Sequence, residues 1–295
     1  MWRKSNLPFI KNYRPLVMAH RGDSANIPEN TLPAYQDAAK LGVDVVETDL
    51  RFTKDDELVL FHDPSVKRTT NGDKRVIEYT LAELKQLDAG YQFKGTKESP
   101  FPFRGKGYHI CGVEEMVKAL PNVRFSMDIK NTGKEKPDAP KIVAEKLETY
   151  GIQNRVLVGS FHQDQINAFR TYSDIPTSAG PKETWNFWRM AKKWIKSNRQ
   201  ALKEFNPDTS ISTLSQETIF GHELAFKFLT IPEGVAFLKI VTPDFMKFAH
   251  FLGIAVYVWT VNDPADMKRL LSWGVDGLYT DTPKTMLSVL GDMNF

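Results

Sequence analysis

The stretch Met18-Ala-His-Arg-Gly22 decides the fold, together with Val45-Val-Glu-Thr-Asp49 and Leu60-Phe-His-Asp63. Each stretch begins with apolar residues, the pattern of a buried β-strand, and ends with side chains that are costly to bury. Polar groups at the carboxyl ends of buried strands are typical of active sites in parallel α/β proteins. The three stretches therefore predict both a sheet and the position of a site on it.

Strands and helices alternate along the rest of the chain, in about eight β–α units. Residues 28–41 have helical spacing and end at Gly42, for example, and residues 176–180 read as a short strand. Eight such units in 295 residues predict a single α/β domain, residues 1–295, folded as a TIM (β/α)8 barrel. A doubly wound open sheet is the alternative, but no Gly-x-Gly-x-x-Gly follows a strand, so its dinucleotide-binding form has no support.

Two parts of the chain depart from this alternation. Residues 63–110 contain turns, a short helix that opens at Thr80, and several prolines and glycines, so we interpret them as a small insertion after the second strand. Residues 181–228 are predicted to form an extended helical segment, and a strand is expected next, over residues 235–240.

The segment 181–205 separates aromatic from basic residues on a helical wheel. Its apolar side carries Phe187, Trp188, Ala191, Trp194, Ile195, Leu202 and Phe205. Its basic side carries Arg189, Lys192, Lys193, Lys196, Arg199 and Lys203. A barrel helix packed by its apolar stripe is the favoured interpretation, and peripheral contact with a membrane surface is the alternative.

The composition excludes several other classes of protein. A hydrophobic content of 41% and a charged content of 25% are typical of a soluble globular protein. The net charge of +3 is too small to predict nucleic-acid binding, and a single cysteine excludes an intrachain disulfide framework. No apolar run has the length of a transmembrane helix or a secretory signal, so a cytoplasmic location is expected. No pattern indicates an oligomeric state.

Three carboxylates at strand ends predict a metal site. Glu47 and Asp49 are two residues apart, so both point to the same face of their strand, which in a barrel is the interior. Two inward carboxylates raise each other's pKa unless a cation lies between them, and Asp128 supplies a third oxygen donor. An all-oxygen set predicts Mg²⁺ or Ca²⁺. Salt bridges to Arg21 and Lys130 are the alternative.

Two histidines at strand ends are the candidates for proton transfer. Phosphodiester cleavage needs a base for the nucleophile and an acid for the leaving oxygen, and His20 and His62 can supply both. Hydrogen-bonded core histidines are the alternative. Arg21 and Lys130 are expected to bind the non-bridging phosphate oxygens. Trp259 ends an apolar strand and is expected to form a wall of the substrate pocket, with simple core packing as the alternative.

At these residues the sequence resembles the glycerophosphodiester phosphodiesterase family. The matching motifs are His20-Arg-Gly22, Pro28-Glu-Asn-Thr31, Val46-Glu-Thr-Asp49, Val59-Leu-Phe-His-Asp63, Arg68-Thr-Thr-Asn-Gly72, Ser160-Phe161 and Val258-Trp-Thr-Val-Asn-Asp263. The resemblance implies a TIM barrel with a small insertion after the second strand, a divalent metal, usually Mg²⁺ or Ca²⁺, and hydrolysis of glycerophosphodiesters to glycerol 3-phosphate and an alcohol.

The resemblance also assigns roles by position. It places His20 and His62 in the acid–base roles, Glu47 and Asp49 at the metal, and Arg21 and Lys130 at the phosphate. Which histidine is the acid stays open, and His62 is favoured. The family usually has glutamate two residues before its lysine, whereas this chain has Asp128, which is one methylene shorter and could ligate the metal through a water. A direct attack by water and a first attack by the glycerol hydroxyl both stay open.

Two other functions remain as alternatives. A lysophospholipase D acting on acylated substrates would use the same residues but would need a hydrophobic groove beside Trp188 and Trp194. A non-catalytic phosphate-binding barrel is the other, and the loss of a histidine or of two acidic groups would have favoured it. The chain has lost none of these groups.

Overall fold

A computed structural model of the protein describes residues 14–198, 200 and 219–295. In chain order its strands are β1 (Leu16–His20), β2 (Val45–Phe52), β3 (Leu58–Leu60), β4 (Arg124–Ile129), β5 (Val156–Gly159), β6 (Phe228–Pro232), β7 (Gly234–Val235), β8 (Leu238–Lys239), β9 (Ala255–Trp259) and β10 (Gly277–Thr280). Its α-helices are α1 (Leu32–Leu41), α2 (Leu81–Leu84), α3 (Val113–Ala119), α4 (Ala139–Thr149), α5 (Gln163–Tyr172), α6 (Pro181–Ser197), α7 (Pro243–Phe251), α8 (Pro264–Ser272) and α9 (Pro283–Asp292).

Seven parallel strands form the main sheet, in the order β5-β4-β2-β1-β10-β9-β6. Residues 176–179 join its two edges. The Ser178 N–H donates to the Val158 carbonyl of β5, and the Ala179 N–H donates to the Phe228 carbonyl of β6. This segment therefore occupies the eighth strand position of a closed barrel, and the predicted TIM barrel is confirmed.

The side-chain alternation along the strands decides what lies inside the barrel. On β1, Leu16 and Met18 belong to the interior cluster, whereas Val17 and Ala19 pack outward. His20 continues the inward register at the carboxyl end of the strand. The inward positions are thus apolar in the body of the barrel and polar at its carboxyl-terminal end, which is where active sites of this fold lie.

The prediction of a barrel strand over residues 235–240 is wrong. The barrel strand is β6, which begins at Phe228 and pairs with β9, with Phe228 opposite Ala255. Val235 and Leu238 instead pair with each other in the short hairpin β7–β8, where both are exposed. Both runs are apolar, and the pairing with β9 selects the earlier one.

Helix α6 is the described part of the segment 181–228. It ends at Ser197, and Leu202, Phe205, Arg199 and Lys203 lie outside the described residues. Phe187, Trp188 and Ala191 are buried, and the Phe187 ring packs against rings of α7. The apolar stripe is therefore a packing surface, as favoured.

No helix in the described part of the chain is long and apolar enough to cross a membrane.

Residues 63–110 follow β3, which pairs antiparallel with β2. They include α2, whose first turn is capped by Thr80 and Glu83 in the predicted capping box. They also have a small apolar cluster of their own, built from Val59, Phe61, Val66, Val76, Leu84, Ala89 and Ile110. This cluster holds the segment against the barrel beside the carboxyl end of β2.

Candidate active site

The polar ends of β1, β2 and β4 meet in one cleft. Three carboxylates and Lys130 form its floor: Lys130 Nζ lies 2.9 Å from Asp49 Oδ1 and 2.5 Å from Asp128 Oδ2. Glu47 lies two residues before Asp49 on β2 and is also buried. The strand register that places Asp49 beside Asp128 brings these groups together.

Burial dominates the electrostatics of these carboxylates. Burial, with a second contribution from the Asp49 carboxylate, raises the pKa of Glu47 to about 7. Burial would also raise the pKa of Asp49, but the Lys130 and Arg21 cations outweigh it and hold that pKa below its usual range. Burial raises the pKa of Asp128. At Glu47, burial and the Asp49 carboxylate thus outweigh the attraction of the His20, Lys130 and Arg21 cations.

Arg21 is fixed above the carboxylates by its backbone and its side chain. Its backbone N–H donates to Glu47 Oε2 at 3.0 Å, and its guanidinium donates to Glu29 Oε1 at 2.8 Å. Its Nε forms an ion pair with Asp49 Oδ2 at 3.3 Å. Arg21 has a φ of 58°, a left-handed conformation that turns the chain sharply after β1. Asn30 donates to Asp49 Oδ2 and fixes that carboxylate.

His20 is held by an aspartate from the last strand of the barrel. His20 Nδ1 lies 2.6 Å from Asp281 Oδ1, and Asn262 donates to the other oxygen of Asp281 at 2.7 Å. Burial would lower the pKa of His20, but Glu47 and the hydrogen bond to Asp281 outweigh it and raise that pKa. Because Nδ1 is engaged, Nε2 is the nitrogen left to face the cleft, 4.0 Å from Glu47 Oε2.

His62 has the same arrangement on the opposite side of the cleft. Its Nδ1 lies 2.6 Å from Asp63 Oδ1, and Arg68 donates to Asp63 at 2.7 Å. Arg68 also donates to both oxygens of Glu29, which holds Arg21. Burial lowers the pKa of His62. Burial would raise the pKa of Asp63, yet hydrogen bonds from Arg68 and His62 lower it to about 2.

The cleft contains carboxylate oxygens, the type of donor that a hard divalent cation prefers. Apart from the Lys130 ammonium, Asp49 Oδ1 and Asp128 Oδ2 have no partner, although both oxygens are buried. Glu47 adds a third carboxylate, which accepts a hydrogen bond from the Arg21 backbone N–H at 3.0 Å and lies 4.0 Å from His20 Nε2. In the part of the chain that the structure describes, no three His, Cys, Asp or Glu side chains are grouped closely enough to hold an ion. The salt bridges that the sequence offered as the alternative to a metal are present in the structure. Lys130 contacts Asp49 and Asp128, and Arg21 contacts Asp49.

The cleft opens into a cavity of about 530 Å³. Its polar end is lined by His20, Arg21, Glu47, Asp49, His62, Asp128 and Lys130. Its other walls include Phe161, Trp185, Trp188, Ile231, Val235, Leu238, Ile240 and Trp259. The Trp259 ring packs edge-on against Phe161 at 5.6 Å. All eight residues proposed from the sequence therefore line one cavity, and Trp259 lies at its wall.

Several residues that complete the site were not assigned roles from the sequence. Asp63 and Asp281 follow strand ends, so their positions gave a signal, but their pairing with histidines depends on the fold. Glu29 begins the turn into α1 and could have been recognised as a partner for a cation. Arg68 lies in the insertion, where no strand pattern marks it.

The fold is a TIM barrel, and the carboxyl ends of its strands carry two histidines paired with carboxylates and several buried acidic and basic groups. This combination is typical of a phosphoric diester hydrolase. The chain belongs to the glycerophosphoryl diester phosphodiesterase family, whose sequence model matches residues 20–285. It is therefore an enzyme, and the expected activity on glycerophosphodiesters is confirmed.

Relatives and solved structures agree with this assignment. A glycerophosphodiester phosphodiesterase of Caldanaerobacter subterraneus subsp. tengcongensis is 30% identical over 94% of this chain and 98% of its own length. Lysophospholipase D GDPD1 of Homo sapiens is 25% identical over 92% of this chain and 85% of its length. A phosphodiesterase of Oleispira antarctica, solved with the product sn-glycerol-3-phosphate, shares the fold with a TM-score of 0.69, 23% identity and coverage of 95% and 98%.

Proposed function

We propose that this enzyme cleaves glycerophosphodiesters to glycerol 3-phosphate and an alcohol, with His20 and His62 transferring the two protons. The observation that carries the proposal is that each histidine has its Nδ1 hydrogen-bonded to an aspartate while both rings line the same cavity. Such pairing fixes the ring and its tautomer, as proton transfer requires. The product seen in the Oleispira antarctica structure supports the same chemistry.

In the proposed reaction, Arg21 and Lys130 hold the non-bridging phosphate oxygens. One histidine takes the proton from the attacking water or hydroxyl, and the bond from its oxygen to phosphorus forms. The other histidine gives a proton to the leaving alkoxide as its bond to phosphorus breaks. Glu29 keeps Arg21 aimed at the cleft through their 2.8 Å hydrogen bond.

Glu47, Asp49 and Asp128 are proposed to hold a divalent metal, Mg²⁺ or Ca²⁺. Oxygen-only donors favour these hard cations. Such an ion would stabilise the negative charge that develops on the phosphoryl oxygens. The buried, otherwise unpartnered oxygens of Asp49 and Asp128 support this assignment.

Turnover of glycerophosphocholine with and without chelator tests the proposal. Exhaustive EDTA treatment should abolish release of glycerol 3-phosphate, and Mg²⁺ or Ca²⁺ should restore it. Full activity after chelation would reject the metal assignment, whereas no activity with any added metal would reject the substrate assignment. Glu47→Gln is the matched variant, because it removes a charge from the proposed ligand set without changing its size.

The apolar walls of the cavity favour a second candidate substrate, a lysophospholipid. This activity would need an apolar groove beside Trp188 and Trp194; the apolar wall of the cavity includes Trp185 and Trp188, and Trp194 does not line it. Val235, Leu238 and Ile240 form its other side. An acyl chain needs such a surface, whereas glycerophosphocholine does not. The similarity to a lysophospholipase D supports this candidate.

Comparing two substrates separates these candidates. If the groove binds an acyl chain, Leu238→Asp should raise KM for lysophosphatidylcholine by about tenfold or more, because a charge replaces apolar contact. The same variant should leave KM for glycerophosphocholine unchanged. Equal changes for both substrates, or no detectable activity on lysophosphatidylcholine, would reject the second candidate.

The basic face of α6 is proposed to contact anionic membrane surfaces peripherally. Lys192, Lys193 and Lys196 are exposed on this helix, within the predicted segment 181–205. Attraction of exposed lysines to acidic lipid is screened by salt. The cytoplasmic location expected from the sequence stays a prediction.

A further inference from the structure

Exposed apolar side chains are concentrated around the open end of the cavity. Eight large hydrophobic residues are exposed among the described residues, and five of them belong to this one region. The five are Phe161, Trp185, Val235, Phe237 and Leu238, which we call the apolar rim. Four of the five line the cavity, and Phe237 lies between two of those four in the chain.

The hairpin β7–β8 projects the most exposed member of the rim. Val235 pairs with Leu238, so Ala236 and Phe237 form a two-residue turn at its tip. Ala236 has a φ of 51°, the left-handed conformation that tight hairpin turns need. Phe237 is fully exposed to solvent. Phe237 therefore buries no apolar surface in this fold, and with its four neighbours in the rim it forms the kind of exposed apolar patch that marks an interaction site.

The surface beside the rim is basic. Helix α6 begins at the cavity and carries one acidic residue, Glu183, which is paired with Arg170. Lys182, Arg189 and Lys192 are exposed on the same helix, and Lys192 Nζ lies 4.6 Å from the centre of the Trp188 ring in the cavity wall. Exposed cations beside exposed aromatic residues match a surface that is apolar beneath a negatively charged layer.

We propose that the apolar rim docks this enzyme on lipid aggregates that contain anionic lipid, with Phe237 and the hairpin tip inserted below the headgroups. Docking deepens the peripheral membrane contact proposed for α6, because it assigns insertion to the hairpin tip and requires no catalysis. Its value for turnover rests on the second candidate substrate, since the rim surrounds the opening through which an acyl chain would enter.

The position of the rim favours a lipid surface over a protein partner. The exposed side chains surround the opening of the cavity instead of forming a patch beside it. A protein, or a second copy of this chain, seated on the rim would close the cavity to its substrate. A lipid surface in the same place would present its own molecules to the cavity and add an anionic layer for α6.

Flotation with vesicles tests the proposal on the whole protein. Vesicles of phosphatidylcholine with phosphatidylglycerol should carry the wild-type protein upward in EDTA, where turnover cannot interfere. Phe237→Ser should weaken this partition by about tenfold or more, the factor expected when one aromatic side chain is no longer buried. Tyr172→Ser is the matched control, because Tyr172 is also an exposed aromatic residue, 55% exposed, but lies at the carboxyl end of α5 and does not line the cavity. It should float like the wild type.

Two flotation results would overturn the inference: the wild type does not float, or Phe237→Ser floats as well as the wild type. A third result would also overturn it. Light scattering would show that Phe237→Ser converts a wild-type dimer to a monomer, while flotation stays unchanged. Hydrolysis of glycerophosphocholine, which needs no lipid surface, should be unchanged in Phe237→Ser and shows that the variant is folded. If neither the wild type nor Phe237→Ser hydrolyses glycerophosphocholine but flotation gives the expected result, the proposed function is rejected and the docking surface is supported.

Discussion

His20 Nδ1 and Asp281 Oδ1 lie 2.6 Å apart and join the first and last strands of the barrel directly at the active site. Ser24 and Asn262 donate to the same carboxylate. Asp281 therefore has three partners that fix its position, and through it the His20 ring. Asp281 thus links the carboxyl ends of β1 and β10 and also orients a proposed catalytic group.

Asp281→Asn is expected to lower kcat on glycerophosphocholine by about ten- to a hundredfold, the range seen when a partner that orients a functional histidine is removed. KM should change little, because Asp281 is not expected to bind the phosphate. Asp276→Asn is the matched control: it alters another histidine–aspartate pair, His250 with Asp276 at 2.8 Å, which does not line the cavity. Steady-state kinetics on both variants check this, and an equal loss of kcat would contradict it.

His20→Ala and His62→Ala should each lower kcat on an alkyl diester by about 10² to 10⁴, because each removes one proton transfer. A nitrophenyl diester needs no acid, so it should restore much of the rate to only one variant. That variant lacks the acid, and the sequence favours His62. Restoration in both variants, or wild-type kcat in either one, would show that the two histidines do not divide the proton transfers.

Metal binding should depend on pH through Glu47, whose pKa is raised to about 7. The cation binds the ionised carboxylate, so below that pH it must displace a proton. We expect affinity for Mg²⁺ or Ca²⁺ to fall about tenfold per pH unit below pH 7 and to level off above it. Calorimetry in buffers of different ionisation enthalpy should detect the released proton in acid. Glu47→Gln should bind more weakly and release none, and wild-type binding without proton release would contradict the prediction.

Phe187→Ala should reduce the free energy of unfolding by roughly 3–5 kcal/mol, because it opens a cavity between α6 and α7. Lys193→Ala, on the exposed face of the same helix, should change it by under about 0.5 kcal/mol. Urea denaturation of both variants measures the difference. A small effect of Phe187→Ala would mean that the apolar stripe of α6 is not a packing surface.

The barrel and the floor of its site could be predicted because both follow from the two-residue repeat of a β-strand, in which successive side chains point to opposite faces of the sheet. Glu47 and Asp49 continue the inward register of β2, in which Val45 belongs to the interior cluster. Each strand therefore reports locally which side chains enter the barrel. The same reasoning found His20 and Lys130, since each lies at the end of an inward row.

What could not be predicted depends on contacts between distant parts of the chain. Val235 is as apolar as the residues of β6, and only pairing with β9 excludes it from the barrel. Arg68 reaches Glu29 across 39 positions of sequence, so no local pattern marks that contact. The ion pairs of Lys130 with two carboxylates depend likewise on the alignment of β2 with β4.

Residues 176–179 are joined to β5 and β6 through single bridges, Thr177 with Val158 and Ser178 with Phe228, and Ser178 and Ala179 also line the cavity. The barrel is thus a seven-stranded sheet whose two edges, β5 and β6, are joined along one seam at residues 176–179. Widening the cavity at this seam would leave every pairing within the seven-stranded sheet intact. The wall of the barrel that is joined by single bridges is therefore also a wall of the cavity.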